Sequence, residues 1–389
     1  MKFNRVFLVV LDSLGVGEAD DAALYNDQGA STLGHIKEKC DLFIPNLERL
    51  GFLDTLTMNG KSDVDAYYTI AKPTNKGKDT LNGHYEMVGI KTNKAYKTFP
   101  NGFPQELISL IEAKTHRRVI GNKVASGTEI IQELGEEQIQ TGSLIVYTSA
   151  DSVLQVAAHE GIIPVDALYK YCEIIREITK DEKWLIGRVI ARPFIGNKAG
   201  AFKRTGNRKD FSLDPPMKSI LNYLEDAKYS VISIGKIYDI FNGQGITKKI
   251  VAHNNKESVD KLIDIMDKKF NGLCFVNLND FDSLYGHRRD KDGYADAIEA
   301  LDVEMPLILN KLNNDDLLII TADHGNDPTF KGNDHTRENV PVIIYSNIFK
   351  SSGMLEPLNT LADIGATIAD NFNIDNQLVV GNSFFDKLK

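Results

Sequence analysis

Three stretches of this 389-residue chain, VFLVVLD, LCFVNLNDFD and LLIITADH, each run an apolar segment rich in β-branched residues straight into aspartate. An apolar run without polar alternation marks a strand buried on both faces, a situation found almost only in parallel sheets covered by helices. Between the last two, YADAIEALDVEMPLILNKL carries apolar residues at helical spacing, giving strand, helix, strand. That alternation predicts an α/β fold with a mostly parallel sheet flanked by helices. Ligands bind beyond the carboxyl ends of strands in such sheets, so Asp12, Asp280 or Asp282, and Asp323 are expected along one edge.

A chain this long exceeds what one hydrophobic core usually fills, which predicts either two domains or one domain with a large insertion. From Asn101 to Asp214 the texture changes. Helices are expected at PQELISLIEAKT and VDALYKYCEIIREIT, and strands near Arg118 to Ile120, from Ser143 to Thr148 and over WLIGRVIARPF. The turn-rich FPNGFP and SLDPP bound the segment, so residues 101–214 are read as an inserted α+β domain within a core of 1–100 and 215–389.

The net charge of −9 argues against a general nucleic-acid binder, because phosphate backbones are held by clustered Lys and Arg. Cys40, Cys172 and Cys274 are widely spaced, with neither a disulfide framework nor a zinc ribbon in view, and fit a reducing cytosol. The apolar run after the two early positive charges stops at Asp12, too short for export, and nothing reaches the roughly 18 apolar residues of a membrane span. A cytoplasmic protein without a membrane partner is expected.

A lone Asp after a strand is ordinarily a helix cap or an Asx-turn. Asp323 beside His324, with His335 eleven residues on, points elsewhere, and DFDSLYGH adds Asp282 and His287. Five residues is not an α-helical face spacing, so that pair is placed on a loop. Three aspartates and three histidines form a mixed oxygen and nitrogen set suited to ions such as Mn²⁺ or Zn²⁺, less to Ca²⁺ or Mg²⁺ alone. Three carboxylates and one alkoxide would balance two divalent charges, and paired metals recur in phosphoryl transfer. GKDTLNGHYEMVG offers Thr80 either as a turn or capping residue or, beside such a cluster, as a nucleophile activated by metal or base. GKDT lacks the spacing of a P-loop, and GVG at 15–17 lacks the third glycine of a dinucleotide fingerprint.

VFLVVLDSLGVGEADDA, GKDTLNGHYEMVG, YTSADSVLQVAAHE, IGRVIARPF, NLNDFDSLYGHRRD and TADHGNDPTFKGNDHTRENVPVIIY together make the chain resemble the phosphopentomutases of the prokaryotic type, within the alkaline phosphatase superfamily. The segments span nearly the whole chain, and DFDSLYGHRRD with ADHGNDPT is specific to that family, whereas ADHG alone is not. The resemblance implies that Asp12, Asp323, His324 and Thr80 surround one Mn²⁺, and that Asp282, His287 and His335 hold a second. Spacing leaves Asp280 and Asp282 as alternatives; the family pattern favours Asp282. Thr80 would carry the phosphate between turnovers, and a sugar bisphosphate such as glucose 1,6-bisphosphate would first load it. Asn82 departs from the second Thr the family often has there.

The inserted domain matches the family's cap. Arg188 to Lys209 holds seven Lys or Arg and no acid, either a solvated charged loop or an anion site. Arg188 and Arg192 lie on an otherwise apolar strand and Arg204 in a Gly-broken loop, and Arg forks suit a sugar phosphate. The resemblance adds Ser149, Asp151, Val153, Ile190 and Lys236 as substrate contacts; Asp151 is equally a helix cap. The implied activity interconverts ribose 1-phosphate, or its 2-deoxy analogue, with the 5-phosphate, by a monomer acting on small pentose phosphates. A phosphatase, a cofactor-independent phosphoglycerate mutase and a non-catalytic metal binder are the competing readings.

Overall fold

A computed structural model describes residues 2–60, 63–92, 96–149, 152–375 and 380–389. The chain divides into two compact units, Met1–Ala95 with Pro215–Lys389, and Tyr96–Asp214. Among the described residues no helix is long and apolar enough to cross a membrane.

The larger unit is built on an eight-stranded sheet. In spatial order its strands are Lys248–Ile250, Ser230–Ile234, Gly272–Leu278, Arg5–Leu11, Asp316–Thr321, Val340–Tyr345, Tyr67–Ala71 and Gly353–Met354. The first five run parallel, and Val340–Tyr345 is antiparallel to both its neighbours. The three apolar runs of the sequence are the three central strands, buried at every position, as unalternated runs must be. Val10 lies opposite Asn277 on one side and Thr321 on the other, so all three strands end level. That register brings their following aspartates to one edge. The expected helix is Lys291–Lys311, with Tyr294, Ile298, Leu301, Met305 and Ile308 buried at intervals of three and four.

The smaller unit has its own sheet, ordered Val119–Val124, Leu144–Thr148, Val153–His159, Arg188–Ile195 and Lys203–Arg204, with Lys209–Ser212 also against Arg188–Ile195. Alternation along its strands feeds two cores. Leu144 and Val146 join Leu107, Ile111, Leu168, Cys172 and Ile175 of the helices Gln105–Thr115 and Val165–Thr179. Ile145 and Tyr147 face the other way, onto Ile130 and Ile131 of the helix Gly127–Thr141.

Two expectations need correction in this unit. The strand read over WLIGRVIARPF begins only at Arg188, because Leu185 has φ of 31° and Ile186 N–H bonds back to the Thr179 carbonyl. The helix Gly127–Thr141 and the strand Val153–His159 were not foreseen. Gly135 breaks the helical pattern and is required by packing, since a Cβ there would lie 2.5 Å from the Phe202 ring.

Candidate metal centre

Asp12 follows Arg5–Leu11 directly, and Asp323 and His324 follow Asp316–Thr321 by one residue; all three side chains are buried. Asp282 and His287 correct the loop expected for them. Asp282 lies within a single π-helical turn, Phe281–Gly286, and His287 directly follows it, its N–H donating to the Asp282 carbonyl at 3.0 Å. A π-turn closes on the fifth residue, so a spacing of five, wrong for an α-helix, sets these two side chains over one another. Asp280 instead accepts from Asn255 N–H at 2.8 Å and helps start the helix Asn255–Met266. It does not cap the turn that follows it, and Asn254 is the N-cap of Asn255–Met266.

His335 returns through the loop from Asn326 to Asp334, closed by paired backbone hydrogen bonds between Gly325 and Thr336. Its ring centroid lies 4.1 Å from that of His324 and 4.7 Å from that of His287. The result is one continuous cluster. Ligand atoms of Asp282, His287 and His335 lie within 4.8 Å of one another, as do those of Asp12, Asp282 and His324. Asp282 belongs to both groups. Asp323 Oδ2 lies 3.3 Å from His324 Nε2 and 3.1 Å from His84 Nδ1 but, among the described residues, accepts no well-directed hydrogen bond, while Asp323 Oδ1 accepts from Ser13 N–H at 3.0 Å.

Thr80 opens the helix Thr80–Met87. The capping role is taken by Asp79, whose carboxylate accepts from Leu81 and Asn82 N–H. This leaves the Thr80 hydroxyl available, and Oγ1 lies 3.1 Å from His324 Nε2 and 3.5 Å from Asp12 Oδ1. It also stands at the positive end of a helix, where negative charge is favoured. Asn82 donates to Asp79 Oδ2 at 2.6 Å and accepts from the Thr92 hydroxyl, so it braces the cap.

The electrostatics are those of acids crowded and buried. Burial, and then the charge of Asp323, push the Asp12 pKa upward. At Asp282 burial acts the same way, but His335 and His287 outweigh it and hold the carboxyl well below its ordinary value. Burial is likewise outweighed at Asp323, where His324 and His84 bring the pKa to about 2. Burial lowers His84 and His324, yet the Asp323 carboxylate outweighs it at both rings. Removing carboxylates from water costs several kcal/mol each unless cations compensate. Divalent ions fit this donor set: three buried aspartates, three histidines, the undirected Asp323 Oδ2, and the ring nitrogens of His287 and His335 facing each other at 3.1 Å. Mixed carboxylate and imidazole ligands suit Mn²⁺ and Zn²⁺.

The remaining expected site residues divide between the units. Lys236 precedes the short helix Ile237–Ile240, its Nζ 3.4 Å from Asp12 Oδ2. In the smaller unit Ser149 follows Leu144–Thr148, Val153 pairs in register with Arg188, and Arg188, Ile190 and Arg192 alternate along one face of their strand. Arg204 pairs opposite Phe194. Arg192, Lys203, Arg204 and Arg208 line a cavity of about 500 Å³. Asp151 lies outside the described residues.

Sequence reasoning passed over Asn277 and His84, both fully buried against the cluster. Each had a signal: an amide inside an apolar strand, and a histidine four residues after Thr80, on the same helix face.

A family model described as the Metalloenzyme superfamily matches residues 4–376, so the chain belongs to that superfamily. That description is of metal-dependent enzymes, which the donor set of the cluster fits. Among solved structures, the chain is similar to the PH0037 protein from Pyrococcus horikoshii, at 14% identity and a TM-score of 0.53, covering 96% of this chain and 99% of that one. A phosphoglycerate mutase from Leishmania mexicana, solved at low cobalt concentration, is 12% identical with a TM-score of 0.47, covering 95% of each chain. The first of these likenesses supports the mostly parallel, helix-flanked α/β fold.

Proposed function

We propose that this enzyme transfers phosphoryl groups through Thr80 and acts as a phosphopentomutase, interconverting ribose or 2-deoxyribose 1-phosphate with the 5-phosphate. The observation that carries the reading is the Thr80 hydroxyl, uncommitted to capping and held between His324 and Asp12 at the edge where the acidic strands end. In this proposal Asp12, Asp323, His324 and Thr80 hold one divalent ion, and Asp282, His287 and His335 the other. Mn²⁺ is the proposed metal. Bound there, the ions would supply positive charge to the transferring oxygens and lower the pKa of the Thr80 hydroxyl.

A sugar bisphosphate such as glucose 1,6-bisphosphate loads Thr80 before the first turnover. Phosphorylated Thr80 then gives its phosphoryl group to the free hydroxyl of the bound sugar monophosphate: the bond to Thr80 Oγ1 breaks and one to the sugar oxygen forms. The resulting 1,5-bisphosphate returns its other phosphoryl group to Thr80. In the first transfer the accepting sugar hydroxyl gives up its proton, and in the second the other sugar oxygen takes one up as its phosphoryl group leaves for Thr80 Oγ1, so no further reactant is consumed.

The arginine-lined cavity of the smaller unit supports a role in holding the sugar's remote phosphate. Burial, with the like charges of Arg208 and Arg204, pulls the Arg192 pKa down to about 10, as expected where cations crowd with few acids. Asp210 is the exception and pairs with Arg208 at 2.7 Å.

Thr80→Ala is expected to lower isomerisation more than about 1,000-fold, the scale of losing a nucleophile, without loss of fold. The measurements are ribose 1-phosphate formation with Mn²⁺ and a bisphosphate, and intact mass after bisphosphate exposure. Substantial turnover by the variant would reject Thr80 as the carrier. Inorganic phosphate released by the wild type as fast as isomer would make the protein a phosphatase.

A further inference from the structure

His84 is fully buried, lies one turn beyond Thr80 and takes no part in the steps above. Its Nδ1 lies 2.9 Å from the Thr80 carbonyl oxygen and 3.1 Å from Asp323 Oδ2. Both are acceptors, so Nδ1 carries the proton. On the far side of the ring, Nε2 lies 3.4 Å from the amide nitrogen of Asn277. The same amide nitrogen is 3.0 Å from Asp12 Oδ2. Asp12 accepts only, which fixes the orientation of the amide and directs an N–H toward the Nε2 lone pair. The ring is stacked on Phe275 with centroids 5.8 Å apart, and Gly83 beside it has no room for a side chain, since a Cβ would lie 2.1 Å from the Asp323 carbonyl oxygen.

A single path of polar contacts therefore runs from Thr80 and Asp323 through His84 and Asn277 to Asp12. It touches the nucleophile's own peptide and both carboxylates on that side of the cluster. Among the described residues, the side-chain polar contacts of His84 and Asn277 run to each other and to Thr80, Asp323 and Asp12. We infer that His84 and Asn277 are positioning residues that set the geometry of the ion beside Thr80 and leave its partner ion alone. The inference rests on the two-ion reading above. Groups behind metal ligands fix ligand orientation, and losing one typically costs 10- to 100-fold in metal affinity.

The test is Mn²⁺ titration of the purified full-length chain, by calorimetry and by electron paramagnetic resonance. Wild type is expected to bind two ions. His84→Ala should weaken one of them by about 10- to 100-fold and leave the other unchanged. His84→Asn, whose amide N–H can stand where Nδ1–H stood, should recover most of the loss. Asn277→Ala, at the other end of the path, should weaken the same ion, and it decides the matter if His84→Ala fails to fold. Equal weakening of both ions, no weakening of either, or a His84→Asn variant as weak as His84→Ala overturns the inference. Wild type binding no Mn²⁺ would sink the two-ion reading and this inference with it, whereas two ions retained by the variants would sink this inference alone.

Discussion

The two units concentrate opposite charge in different ways. In the larger one, Asp12, Asp282 and Asp323 are brought together by strand register and are almost wholly buried. In the smaller one, Arg192, Arg204 and Arg208 gather around a cavity, with Arg204 exposed on a short edge strand. A buried acidic cluster is unfavourable until cations arrive, so it suits ions that stay; a half-open basic cavity remains hydrated and suits an anion that comes and goes. The difference separates a resident group from a passing one.

The comparison breaks most severely at Asp282, which contributes to both ligand groups. Asp282→Ala is expected to abolish binding of the ion held with His287 and His335, to weaken the neighbouring ion beside Asp12 and His324, and to lower activity at least about 1,000-fold, since metal charge stabilisation is lost at the transferring oxygens. Metal content after dialysis checks this, and retention of both ions would remove Asp282 from the centre. On the basic side, Arg192→Ala should raise KM for the sugar phosphate by about 10- to 100-fold with little change in kcat, the scale of one charged hydrogen bond. A loss confined to kcat would place Arg192 in the chemical step instead.

The smallest effect concerns a buried carboxylate whose hydrogen-bond donors, among the described residues, are all neutral. Glu338 accepts from Gly17 N–H, Thr32 N–H and the hydroxyls of Thr32 and Thr336, yet burial outweighs these donors and raises its pKa to about 7. The folded protein then binds the Glu338 proton more tightly than the unfolded chain does. Its contribution to stability is full below the ordinary carboxyl value and is lost as pH rises to about 7, by about 3 kcal/mol at most. Denaturant unfolding at pH 5 and pH 7.5 measures that slope, and Glu338→Gln should flatten it. An unchanged slope would assign the pH dependence to other groups.

The central sheet was legible because strands buried on both faces need unbroken apolar runs, and Asp12, Asp323 and His324 were legible because they sit where those runs stop. The Asp282–His287 turn was not, since five-residue spacing reads as irregular unless a π-turn is anticipated. His84 was hidden for a different reason: its importance depends on Asn277 and Asp323, which are distant in sequence. In the smaller unit Gly135 disguised a helix by answering to Phe202, some 67 residues later. Local pattern reveals what local physics decides, and these residues answer to distant neighbours.

The π-turn also bears on how such a centre is inherited. Each residue along an α-helix turns the next side chain by about 100°, so the same five-residue spacing wound as an α-helix would swing His287 about 140° away from Asp282. Chain length over this stretch is therefore part of the chemistry. A relative one residue shorter there could seat the same pair at the α-helical spacing of four, so winding and chain length have to change together: a change in either one alone would keep every ligand type in the sequence and still lose the alignment of the pair.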